Sequence, residues 1–145
     1  MITAAFRKIP VPKERSIVQP ANKTLVNFDT IFYTRSQGFQ RTVVLLGQTI
    51  TLDISPVSYT WSPGDGSSFT TSSPGGPYPD KTVIHRYRKA HVTVRHHVTV
   101  SWGARFRVNG GAWAPVSGTV QSVGPSTALR IAEAVPVLTG VADQR

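Results

Sequence analysis

The chain has 145 residues, no cysteine and one methionine. The lack of cysteine removes disulfide scaffolds, zinc–thiolate sites and thiol catalysis. Acidic residues are few and scattered: Glu14, Asp29, Asp53, Asp65, Asp80, Glu133 and Asp143. A glycosidase needs two carboxylates facing one bond, and no spacing here sets up such a pair. No apolar run approaches the ~18 residues of a membrane-spanning helix. There is no Gly-x-Ser-x-Gly elbow, and neither Gly75-Gly76 nor Gly110-Gly111 leads into a helix as a phosphate loop would. Met1 to Val18 carries Pro10 and Pro12 and has no apolar h-region, so no signal peptide is read. A chain complete as written is then expected in the cytoplasm. No enzymatic site, cofactor or metal site is expected.

Glycine (12) and proline (11) are abundant, which favours many turns over long helices. Sixteen Lys and Arg against seven acids give a net charge of +9, a balance that attracts polyanions. The basic residues are dispersed, without a run of five or more, so a nucleic-acid tail is not supported. An RNP-like aromatic signature and a helix-turn-helix pattern are also missing, and nucleic acid is not the expected partner.

Residues 1–24 read as an extended arm, because Pro10, Pro12 and Pro20 oppose a regular helix. Its apolar residues, among them Ile2, Phe6, Ile9 and Val18, either dock on their own domain or add a strand to a neighbour. Residues 25–140 read as strands and 141–145 as a frayed tail. Ile50, Leu52 and Ile54 alternate with Thr49, Thr51 and Asp53, the period of a half-buried antiparallel strand. Gly47 marks a hairpin turn, and Asn109-Gly110-Gly111 marks another between Arg105–Val108 and Trp113–Val116. Val92, Val94, Val98 and Val100 share one face of a strand. His96 has the same parity, so either it is buried or a bulge at His96-His97 resets the register. Residues 126–137 are compatible with a short helix or with a strand pair broken near Pro136, and the pair is favoured. Eight or nine short strands with regular turns indicate an all-β sandwich.

Tyr59-Thr60-Trp61-Ser62-Pro63-Gly64-Asp65-Gly66, then His85-Arg86-Tyr87 and an alternating valine strand, resembles the PKD (polycystic kidney disease) domain. The matching residues are Trp61, Gly64, Asp65, Gly66, His85 and Tyr87. Ser62 and Pro63 stand where the family usually has an Asp or Asn and a Phe. The resemblance covers roughly residues 42–102. The added hairpin, 103–123, is similar to extensions of PKD-containing proteins from high-GC Gram-positive bacteria. The resemblance implies an immunoglobulin-like antiparallel β-sandwich, extracellular or at the cell surface, that binds proteins or polysaccharides without catalysis. The six motif residues are read as a folding device: glycines for a tight corner, Asp65 for its turn, Trp61 and Tyr87 to span two sheets.

The candidate binding residues form two groups. Trp102, Arg105, Arg107 and Trp113 lie on or beside the added hairpin, where flat aromatics stack on rings and arginines pair with carboxylates or phosphates. The alternative places one or both tryptophans in the core. Phe69 and Tyr78 lie in a Gly/Pro-rich connection, Ser67 to Asp80. The expected role is a non-catalytic adhesion module for polysaccharide or envelope protein, with a polyanion as one form of partner. The alternative is a subunit of a fibre, virion or surface assembly that self-associates through residues 1–23.

Overall fold

The computed structural model describes residues 1–134 and is all-β apart from one short helix. The strands are β1 (Ile17–Gln19), β2 (Lys23–Leu25), β3 (Thr30–Tyr33), β4 (Phe39–Leu45), β5 (Gln48–Ser62), β6 (Phe69–Thr71), β7 (Ile84–His85), β8 (Val92–Val108), β9 (Ala114–Pro115), β10 (Val120–Val123) and β11 (Thr127–Ala132). A three-stranded sheet runs β1-β3-β7. An eight-stranded sheet runs β2-β11-β8-β5-β4, with β9 and β10 also on β8 and β6 also on β5. The two sheets pack through Phe32 of β3, whose ring meets Trp61 of β5 edge-on at 6.0 Å and His96 of β8 at 5.7 Å.

The long antiparallel pair β5–β8 is the spine of the molecule. β8 has 17 residues, a run of ~56 Å at strand rise. The sequence places Arg105–Val108 in a separate hairpin, yet β8 continues through Gly103 and pairs with β5 from His97 to Val108. The irregularity falls instead on β5, where the register shifts between Pro56 and Ser58. A bulge there leaves the ladder a place for a proline, which has no N–H to donate. Because β8 is regular at His96, strand parity carries that ring inward, and it is fully buried.

The spine extends beyond the three-stranded sheet, and the N-terminal segment covers the apolar face of that extension. Ile2–Arg7 forms a helix, α1, so the first part of the arm is not extended. The prolines oppose helix only from Pro10 onward, and Ala4 and Ala5 upstream of them favour it. Phe6 and Ile9 join the same buried cluster as Ile50, Leu52 and Trp102. Further along, Ile17–Gln19 pairs with β3 of its own chain. The arm is thus docked in cis.

Other expectations resolve locally. Leu46 and Gly47, at φ +50° and +73°, make the tight turn between β4 and β5, the left-handed pair that matches strand twist. At the start of the 25–140 strand region the chain turns at Asn27, φ +58°, and β2 and β3 on either side of it belong to different sheets. Of residues 126–137, the strand reading holds for Thr127–Ala132. The break near Pro136 and the tail at 141–145 lie outside the described residues.

Candidate functional site

The family-like motif folds into a fastened corner. Gly64 has φ +96°, and a Cβ on it would meet the Arg95 backbone at 2.5 Å, so only glycine fits. Trp61 is fully buried, and its Nε1 donates to Thr71 Oγ1 at 2.9 Å. Tyr87 is buried, and its hydroxyl donates to the Pro63 carbonyl at 2.7 Å. Burial, with the Asp65 charge adding to it, pushes the Tyr87 hydroxyl pKa well up, so it remains a donor. Asp65 Oδ1 accepts from the Ser67 backbone N–H at 3.1 Å, and its Oδ2 lies 2.7 Å from His85 Nε2. Partial burial pulls the Asp65 carboxyl pKa up, but the Ser67 and His85 hydrogen bonds together hold it below the usual range.

Serine, aspartate and histidine thus meet in one cluster, in an order unsuited to acyl transfer. The Ser67 hydroxyl bonds Asp65, not His85. A nucleophilic serine needs the imidazole between itself and the acid. Aromatic rings pack against His85: Phe69 stacks on its face at 6.1 Å and Tyr87 meets it in a T-shaped contact at 4.8 Å. Phe69, expected in a presented loop, is half-buried on β6 in this stack. The corner ties β5, β6 and β7 together.

The basic-aromatic group divides into two faces. Trp102 is fully buried, and its Nε1 donates to Ser122 Oγ at 3.0 Å. It is a core residue and not part of a binding surface. In the continuous β8 it has the parity of Ala104 and Phe106, opposite to Arg105 and Arg107. Those arginines project on the outer face with Trp113. Their guanidinium carbons lie 4.5 and 4.6 Å from the Trp113 ring centroid, cation–π distances. The hairpin that brings Trp113 back is set by β9, with Arg105 opposite Pro115. Arg105 Nε donates to Asp53 Oδ2 at 2.8 Å across the β5–β8 pair. Arg107 faces Thr51 instead, and its buried Nε has no hydrogen-bond partner among the described residues. Among the described residues, one cation of the ladder is therefore neutralised and the other is not.

Tyr78 is 70% exposed, as expected of a loop residue, and its backbone N–H donates to Gln19 Oε1 at 2.7 Å. It lines a cleft with Phe28, which lies in the 25–140 region read as strands and is not among the candidate binding residues. The missed signal is Asn27, a residue type suited to left-handed turns, which breaks the strand and turns Phe28 out. Among the described residues no group of three or more His, Asp or Glu is placed to hold a metal ion. No helix of the described residues is long and apolar enough to cross a membrane. No family model, curated protein or solved structure matches the chain.

Proposed function

We propose that this chain is a non-catalytic, surface-associated binding module of PKD type that holds an anionic polysaccharide. The binding face is the outer side of β4, β5, β8 and β9, away from the side covered by α1. The observation that carries the reading is the Arg105–Trp113–Arg107 ladder, with Arg107 free of an acidic partner among the described residues. Stacking on an indole fixes a guanidinium plane while leaving N–H edges to donate, so little side-chain freedom is lost on binding. Arg105 is anchored by Asp53 and positions the ring. Arg107 supplies the uncompensated charge. The net charge of +9 steers an anionic chain toward the face. The Asp65–His85 cluster, closed by aromatic rings, supports the non-catalytic part of the reading. The assembly alternative has weaker support, since the arm must first leave its own core.

Co-sedimentation with insoluble polyuronate and with isolated bacterial envelope tests this, at low salt and at about 1 M salt, where the Debye length is ~3 Å. Retention should survive in part at high salt. Arg107→Gln should weaken it about tenfold, the scale of one charge-assisted contact. Trp113→Ala should weaken it further while the fold persists. Unchanged retention in Arg107→Gln would remove the ladder from the binding site, and complete loss at high salt would leave only net charge as its cause.

A further inference from the structure

On the opposite side of the molecule, a cleft of about 460 Å³ lies beside the three-stranded sheet. That volume is within the ~300–1,000 Å³ of small-ligand sites. Its walls are Pro20, Phe28, Ile31 and Tyr78. Phe28 is 47% and Tyr78 70% exposed, so neither aromatic is held there by the core. Both present apolar surface to one concavity, as ligand-binding surfaces do. The loop bearing Tyr78 is fastened to β1 by the Gln19 hydrogen bond, which keeps the cleft formed.

The polar side holds two cations and one carboxylate: Arg86, Lys81 and Asp29. Asp29 Oδ1 accepts from Arg86 Nε at 2.6 Å. That bond, with the charges of Arg86 and Lys81, outweighs desolvation and keeps the Asp29 carboxyl below the usual range. The carboxylate is spent on Arg86. Lys81 makes no salt bridge within 4 Å among the described residues. The cleft therefore combines apolar walls with one uncompensated positive charge.

We infer that this cleft binds an amphipathic carboxylate: an aromatic or branched apolar group carrying a single anionic carboxyl, which pairs with Lys81. Two sources share that chemistry, a free organic acid and the C-terminal residue of a polypeptide. The site does not depend on the Arg107 face. Amide chemical-shift mapping by NMR of the full chain would use three probes: 3-phenylpropionate, a short peptide ending in phenylalanine, and the same peptide with an amidated C-terminus. At least one acid should shift the amides around Phe28 and Tyr78, and the amidated peptide should bind about tenfold more weakly, one charge-assisted contact being worth roughly that. Binding of both acids identifies a general carboxylate site, and binding of the peptide acid alone identifies a chain-terminus site. Lys81→Gln, an exposed substitution, should lower affinity for the acid to that of the amide. Tyr78→Ala should weaken every probe, and Trp113→Ala none. Equal affinity for acid and amide, shifts confined to other surfaces, or no binding at millimolar concentration would overturn the inference.

Discussion

His96 sits fully buried between the two sheets, with Nδ1 2.9 Å from Ser16 Oγ and Nε2 without a partner among the described residues. Burial, followed by the nearby positive charges of His97 and Arg15, lowers its pKa from 6.5 to about 4. The unfolded chain then binds a proton that the folded chain refuses between those values. Stability from the neutral ring is present in full above pH 6.5 and is lost as pH falls toward 4. The total is about 3 kcal/mol. Urea midpoints should show about 2 kcal/mol lost between pH 7.5 and pH 5, and His96→Asn should flatten that slope whatever its absolute stability. A pH-independent wild-type midpoint over this range would show that the ring is not held neutral. The sequence narrowed His96 to burial or a bulge, and only the register of β8 with β5 and β11 separates the two. Trp102 shows the same dependence on register. Its three-residue offset from Arg105 encodes opposite faces, but only if the strand does not break at Gly103.

Elements were legible where a side chain and its backbone agree. The period of two over Ile50–Ile54, the Gly47 turn and the Asn109-Gly110 turn are all local signals, and the structure has each of them. The arm was less legible because its partners are distant. Nothing near Phe6 in sequence shows that it fills space over Ile50, Leu52 and Trp102. If α1 and the proline segment replace a second sheet over this half of the spine, Phe6→Ala should cost about 3–5 kcal/mol of stability, the range for emptying a buried phenylalanine site. Equilibrium unfolding in urea, with sedimentation to confirm an unchanged oligomeric state, is the check. A loss below about 1 kcal/mol would show the segment to be a loose appendage. The elements of the two candidate sites were legible to different degrees. The hairpin bearing Trp113 has an explicit turn signal. The Phe28 cleft joins residues from four separate stretches of chain, Gln19-Pro20, Asn27–Ile31, Tyr78–Lys81 and Arg86, that only the tertiary fold brings together.

At the scale of the whole molecule, the two long strands carry unequal surfaces. One side of the spine is closed by the three-stranded sheet and α1, and the other presents the arginine ladder. A charge excess of +9 is thus combined with an ordered arginine–indole ladder, while the cleft at Phe28 lies elsewhere. The parallel pairing of β2 with β11 has a further consequence. Arg130, Ile131 and Ala132 align with Lys23, Thr24 and Leu25, and backbone bonds from Val26 to Ala132 and from Arg130 to Asn22 bracket the pair. Pulling backward on the chain before β2 and forward on the chain after β11 slides these two strands past each other. All their bonds then bear load together, and none opens first. Pulling instead on the Leu46 and Gly110 turns peels β5 from β8 one rung at a time. Single-molecule stretching with attachment points at Ala21 and Ala134 should therefore need a clearly higher rupture force than stretching at Leu46 and Gly110. Equal forces would show that β2–β11 is no clamp. For the surface-associated binding role proposed above, that geometry would let the module keep hold of its ligand while the surface is dragged away.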